Sequence, residues 1–300
     1  MSNGFDINTI NERKKRMKKK LLFSGILTSA LLLTATTLSA EITVKKGEKI
    51  GFLGDSITAQ GNSMGCGYVN LVMSALNANG IKAVKIPAGI SGHKSNQMLA
   101  RLDKDVLSKK PQYMTLSCGV NDVWHGKRGV PLDQYKANIT KIVEKAQAAG
   151  VKVYILTATM ISENQQAKNN QKLIAYNDFL RQLAKEKNCV LVDLNKDMQE
   201  EIAAIKKKYP NFKGNYLTVD GVHMNPLGNM MMARGILKAF GFSDEQMKKA
   251  TDAWMKSKFT MRLYVNVSTK EYMDLSAKAV ATGKNAEAYS IDAVRNAMNK

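Results

Sequence analysis

Ser56, Asp220 and His223 are the residues of this chain whose types and settings can do covalent chemistry. Ser56 closes a Gly54-Asp55-Ser56 turn directly after the apolar run Ile50-Gly51-Phe52-Leu53, which holds its hydroxyl at the rim of a buried strand. A hydroxyl is a weak nucleophile until a neighbouring base takes its proton. Far downstream, Asp220-Gly221-Val222-His223 offers such a base, with a carboxylate three residues ahead of it. That carboxylate can fix the imidazole's tautomer while the other ring nitrogen faces serine. The order Ser, Asp, His with so short an Asp–His spacing is unusual and narrows the reading to acyl transfer. Such chemistry also needs donors aimed where an oxyanion forms. Gly92 offers an unobstructed backbone N–H, Asn121 a side-chain amide, and Ser56 its own N–H.

These groups lie far apart in the chain, so the elements between them must bring them together. Strand candidates are Lys49–Leu53, Ile81–Ile86, Gln112–Ser117, Val151–Thr157 and Cys189–Asp193. They are rich in Val, Ile, Leu and Tyr without clean polar alternation, which suits strands covered on both faces. Between them run helical patterns: Leu132, Tyr135, Ile139, Ile142, Val143 and Ala146, then Leu173, Tyr176, Leu180 and Leu183. Gly80 and Gly150 end helices just before the following strands. Alternating β and α at this spacing predicts right-handed crossovers and a parallel sheet. If the strand order is 2-1-3-4-5, Ser56 and Gly119–Asp122 flank the point where that order reverses, where ligands gather in open sheets.

Four short blocks, Gly54-Asp55-Ser56-Ile57, Gly89-Ile90-Ser91-Gly92, Gly119-Val120-Asn121-Asp122 and Asp220-Gly221-Val222-His223, stand in this order over roughly residues 49–240. In this set the chain closely resembles the SGNH (GDSL-type) serine hydrolases and esterases. The resemblance implies their flavodoxin-like, three-layer α/β/α fold with a five-stranded parallel sheet, Ser56 as nucleophile, His223 as general base and Asp220 as its orienting carboxylate. It also implies Ser56, Gly92 and Asn121 as the oxyanion hole. Many members carry Pro immediately after the catalytic His, where this chain has Met224-Asn225-Pro226.

Plainer roles compete. A serine after a strand is often a helix N-cap. Asp55 suits a structural role bonding turn amides, and Asp122 a capping role. His93 and His125 are rival bases beside oxyanion-loop residues, yet neither has a carboxylate at the local spacing of Asp220 and His223, so substrate contact suits them better. Trp124 can line an acyl or sugar pocket, or simply pack. The two His residues form no metal motif with local carboxylates, so neither a metal nor another cofactor is predicted.

Basic Arg13–Lys20, an apolar stretch from Leu21 to about Thr37 and small residues up to Ala40 follow the order of a secretory signal. The predicted organisation is a signal at 1–40, a hydrolase domain at 41–242 and a C-terminal extension at 243–300. Export to the periplasm or the extracellular space follows; an uncleaved leader tethering the chain to a membrane is the alternative. The net charge is +20; seven of the 45 basic and two of the 25 acidic residues precede residue 41, leaving a surplus of 15. That surplus suits anionic polysaccharide or envelope headgroups, and equally a merely well-solvated surface. Cys66, Cys118 and Cys189 are too few and odd for a disulfide framework.

In the extension, a helix from Ser243-Asp244-Glu245 precedes a period-two stretch with Met261, Leu263, Val265 and Val267 alternating against Arg262, Tyr264 and Asn266. A capping box at Ser268–Glu271 and two helical patterns follow. Strand, helix, helix weakly resembles a ribbon-helix-helix module, but a leader argues against nucleic acid, leaving packing or a homodimer through this strand. The activity expected is that of an exported serine esterase removing small acyl groups, foremost O-acetyl groups on carbohydrate. A lysophospholipase or thioesterase of the same type is one alternative, and a non-catalytic glycan-binding protein on a decayed hydrolase scaffold is another.

Overall fold

A computed structural model describes residues 41–256 and 267–299. The segment 1–40 read as a secretory signal and, but for Val267, the alternating stretch from Met261 lie outside the described residues. Each predicted strand is present. β1 (Lys49–Gly54) leads into α1 (Ser56–Ser63) and α2 (Tyr68–Ala78), and β2 (Val84–Gly89) into α3 (Ser95–Asp105). β3 (Tyr113–Ser117) is followed by the short α4 (Val120–Trp124) and by α5 (Leu132–Ala148), and β4 (Lys152–Leu156) by α6 (Lys168–Glu186). β5 (Val190–Val192), α7 (Leu194–Lys208), α8 (Pro226–Ala239) and α9 (Asp244–Lys256) follow, then α10 (Thr269–Ala281) and α11 (Ala286–Met298).

All five strands pair in parallel in the order β2-β1-β3-β4-β5. α2 packs on α8 and α9, with α7 against α8; α3 packs on α5, and α5 on α6. Two helical layers therefore cover the sheet, and this is why β3 is buried at every position and β1 at all but its first. Burying each large apolar side chain of this kind, such as Phe52, Leu53 or Leu116, stabilises the fold by roughly 1.5–3 kcal/mol. Gly80 and Gly150 take φ of +82° and +75° after α2 and α5, as left-handed C-terminal caps.

β2 differs from its predicted range, starting and ending three residues later. Ile81 N–H bonds back to Leu76 O, so the residues after Gly80 close α2 before the strand begins. The strand then runs through Pro87, opposite Phe52. A proline is tolerated there because β2 is the sheet's edge and only one side of it pairs. α9 lies against the body: Ala250 and Trp254 are buried, and Trp254 Nε1–H donates to Leu71 O at 3.0 Å. α10 opens on the predicted capping box, with Ser268 Oγ accepting from Glu271 N–H and the Glu271 carboxylate accepting from Ser268 N–H. Gly283 ends α10 at φ +71°.

Candidate active site

Ser56 is the first residue of α1, so it follows β1 where the sheet's strand order reverses. The N-cap of that helix is Asp55, whose Oδ1 accepts from Ile57 N–H at 2.9 Å. The capping alternative for Ser56 thus falls to its neighbour, which leaves the Ser56 hydroxyl for other partners. α1 sits very close to the end of β2: a Cβ on Gly89 would come within 2.3 Å of Ala59 N. Only glycine permits that approach, and it brings Ser56 level with the loop that follows β2.

His223 Nε2 lies 2.9 Å from Ser56 Oγ, and His223 Nδ1 lies 2.7 Å from Asp220 Oδ2. Both separations are hydrogen-bond lengths, so carboxylate, imidazole and hydroxyl form one continuous chain. The tight turn behind it is local in origin. Asp220 Oδ1 accepts from Val222 N–H at 2.9 Å and from His223 N–H at 2.8 Å, an Asx-type turn. Gly221 takes φ +91° in that turn, a conformation other residues adopt only under strain. Burial pushes the Asp220 carboxyl upward, but the His223 ring, the two amides and the imidazole's charge outweigh it and hold it below the usual range. The two residues inserted before Pro226 have a structural use. Met224 bridges antiparallel to Thr218, and Asn225 becomes the N-cap of α8, with its side chain accepting from Gly228 N–H.

Gly92 stands in the loop after β2 at φ +76°, and Asn121 is buried in the first turn of α4 after β3. Asn121 Nδ2–H donates to His93 O at 3.2 Å, which ties the two loops together. Beneath them Asp122 Oδ1 accepts from Ser95 N–H at 3.0 Å, and Asn138 Nδ2–H donates to Ser95 Oγ at 3.1 Å. Asp122 therefore holds α3 to α4, in keeping with a structural role. Desolvation raises its carboxyl despite the Ser95 bonds, and desolvation raises buried Asp55 to about 6 against its bond from Ile57.

His93 does not meet Ser56 in this arrangement. Its Nδ1 accepts from Arg101 Nε–H at 3.1 Å, which leaves the ring proton of the neutral tautomer on Nε2. Arg101 also donates to Ala88 O and Gly54 O, both at 2.8 Å, and so clamps the ends of β1 and β2. Burial lowers the pKa of His93, and the nearby Arg101 and Lys94 cations add to the effect. His125 is lowered by burial and by Lys94 and Arg128; its ring lies 6.2 Å from Trp124. Trp124 is 42 % exposed and stands edge-on to His223, ring centroids 6.4 Å apart. It forms one wall of a cleft of about 480 Å³ whose other walls include Ser162, Lys168, Asn169, Asn215 and Asp220.

A family model for GDSL-like lipases and acylhydrolases matches residues 52–231, which contain every one of these groups. The chain belongs to that family. It is an ester hydrolase of the SGNH type. Over 220 residues it is 30% identical to an acetylxylan esterase of Geobacillus stearothermophilus, a match covering 66% of this chain and 96% of that one. The crystal structure of the acetyl xylan esterase AlAXEase superposes with a TM-score of 0.59 at 33% identity, covering 64% of this chain and 98% of that one. An uncharacterized lipoprotein of Bacillus subtilis, YqeF, is 26% identical over 190 residues, 56% of this chain and 77% of the relative.

Sequence reasoning did not single out Arg101 or Glu163. Arg101 sits in a charged helical stretch where no motif distinguishes it. Glu163 follows β4 without a motif, yet it is 3% exposed. The signal that could have found it is a lone acid between the apolar run of β4 and the polar segment leading into α6.

Proposed function

We propose that the protein is an exported serine esterase that removes small acyl groups, foremost O-acetyl groups, from carbohydrate. The observation that carries this reading is the 2.9 Å contact of Ser56 Oγ with His223 Nε2, backed by Asp220, in a chain that matches 96% of an acetylxylan esterase's length. Ser56 Oγ attacks the ester carbonyl carbon while His223 Nε2 takes the hydroxyl proton. The imidazolium is stabilised by Asp220, and the carbonyl oxygen becomes an oxyanion facing Ser56 N–H, Gly92 N–H and Asn121 Nδ2–H. One Asn121 amide hydrogen serves His93 O, and the second is left for the oxyanion. Collapse of the intermediate breaks the bond to the alcohol, which leaves with the proton returned by His223. Water then loses a proton to His223, attacks the acyl-serine carbonyl and releases the acid, restoring Ser56.

The alcohol must depart on the side of His223, since that ring protonates it. The cleft between Trp124 and the 161–169 segment adjoins that ring through Trp124 and Asp220, and its exposed indole and two amides suit the face and hydroxyls of a sugar ring. His93 and His125, flanking Gly92 and Trp124, serve substrate contact rather than proton abstraction. The leader at 1–40 and the lipoprotein relative support export, and the basic surplus suits an anionic polysaccharide. Residues 41–242 form the hydrolase domain in this reading, and 243–300 an extension through which two copies can pair.

A panel of aryl esters of increasing chain length, run beside acetylated xylo-oligosaccharides, tests the reading. Acetyl esters should be turned over fastest and deacetylation of the glycan should be measurable. A rate that rises with acyl length would instead identify a lysophospholipase or thioesterase. Failure of a fluorophosphonate to label Ser56 would leave only a non-catalytic binding role.

A further inference from the structure

The loop that carries Asp220 and His223 has little secondary structure of its own beyond the Thr218–Met224 bridge, yet a catalytic imidazole must be held within fractions of an ångström. What holds it is a buried carboxylate that makes no hydrogen bond to Ser56, Asp220 or His223 themselves. Glu163 Oε2 accepts from Tyr216 N–H at 2.6 Å, and Oε1 accepts from Leu217 N–H at 2.7 Å and Thr218 N–H at 2.8 Å. Thr218 Oγ1–H adds a fourth bond to Oε1 at 2.7 Å. Four donors on one carboxylate leave it little freedom to move independently of residues 216–218.

The grip extends to the turn itself. Thr218 Oγ1 gives its proton to Glu163 and accepts from Gly221 N–H at 3.1 Å. The residue before Glu163 completes the clasp: Ser162 N–H donates to Gly221 O at 2.7 Å, from a backbone at φ +98° that is uncommon for a residue other than glycine. Gly221 is thus bonded at both its N–H and its C=O by groups that trace to the Ser162-Glu163 pair. Asp220, which orients His223, stands directly beside it. Strained backbone at Ser162 persists only where its surroundings over-determine it, and these bonds do so.

We propose that Glu163 is a positioning residue of the esterase: through Thr218 and the 216–218 amides it sets where Asp220 and His223 stand relative to Ser56. This rests on the reading that Asp220 and His223 serve Ser56 in catalysis. Glu163→Gln replaces an all-acceptor group by an amide, whose NH₂ must face at least one of the backbone donors, so the loop has to shift. A displacement of about 1 Å of a catalytic group costs on the order of 10²-fold in rate.

The test measures turnover per active site, with sites counted by fluorophosphonate titration, for wild type, Glu163→Gln, Thr218→Val and Thr218→Ser on an aryl acetate; Ser56→Ala, which has no hydroxyl to label, is assayed per mole of folded protein. Glu163→Gln should lose about 10–100-fold in kcat per titrated site while KM stays within about twofold. Thr218→Val, which breaks the link from Glu163 to Gly221, should lose about tenfold, and Thr218→Ser, which restores the hydroxyl, should recover most of that loss. A merely structural role would lower the number of titratable sites and the melting temperature but leave turnover per site at the wild-type value; that result overturns the proposal. If Glu163→Gln does not fold, the Thr218 pair decides alone, and equal turnover in Val and Ser variants refutes it. Retained activity in Ser56→Ala would instead overturn the underlying assignment of Ser56.

Discussion

Replacing Asp55 by Asn should stabilise the protein at alkaline pH and do nothing at acid pH. Asp55 is 2% exposed, and its carboxyl titrates at about 6 against an ordinary value of 3.8, chiefly because burial penalises the charge and secondarily because Asp122 lies near. The sign follows from linkage. Below the ordinary value both folded and unfolded chains carry a neutral acid, and nothing is lost. Between 3.8 and about 6 the unfolded chain ionises freely while the folded one resists, so stability falls as pH rises, and above about 6 the loss is complete. A gap of about two units corresponds to about 3 kcal/mol. Asn keeps an oxygen for the bond from Ile57 N–H, so the local cap survives. For a body of this size the gain is about 6–12 °C in Tm at pH 8. Thermal unfolding of wild type and Asp55→Asn at pH 4 and pH 8 checks it. A difference between the two proteins that is the same at both pH values would refute the reasoning, because only a group that ionises between them can make it change.

Ser56→Ala should abolish aryl-acetate turnover, by at least about 10³-fold, with Tm unchanged, since the hydroxyl's bond is to the functional histidine rather than to the core. Asp220→Asn should keep the turn's amide bonds yet lower kcat by about 10²–10⁴-fold through loss of the imidazole's charged partner, measured at saturating substrate. Asn121→Ala removes one oxyanion donor and should cost about 10²–10³-fold in kcat with little change in KM. Trp254→Ala removes a buried ring from the contact of α9 with α2 together with its bond to Leu71 O, and should cost about 3–5 kcal/mol in denaturant unfolding. Turnover per titrated site should stay near wild type in that variant.

The sheet was legible in the sequence because strands buried on both faces read as apolar runs, such as Val153-Tyr154-Ile155-Leu156 of β4. β2 was read early because Ile81 and Ala83 are apolar enough to pass for strand residues, while Pro87 hides the true end of the edge. Of the site, the contact of Asp220 with His223 was legible because it is local: a spacing of three and a glycine suffice to close it. The pairing of Ser56 with His223 was legible only through the four motif blocks, and long-range contacts outside those blocks left no trace. Arg101 reaches His93 and two strand-end carbonyls from a helix whose sequence is merely charged. Glu163 binds residues more than fifty positions away. Cys66, in the turn between α1 and α2, is buried, and no local pattern announces it.

Ser56 and His223 are 167 positions apart, and Tyr68 N–H bonds Asn229 Oδ1 across a gap nearly as long, seating the start of α8 against the start of α2. If Ser56 and His223 act as proposed, a nascent polypeptide carries an inert serine until the segment bearing His223 has emerged and docked. In that reading any chain shortened ahead of Asp220, by a premature stop or by a protease, loses its base and the seam that seats it in the same event. The enzyme is switched on by finishing its own fold.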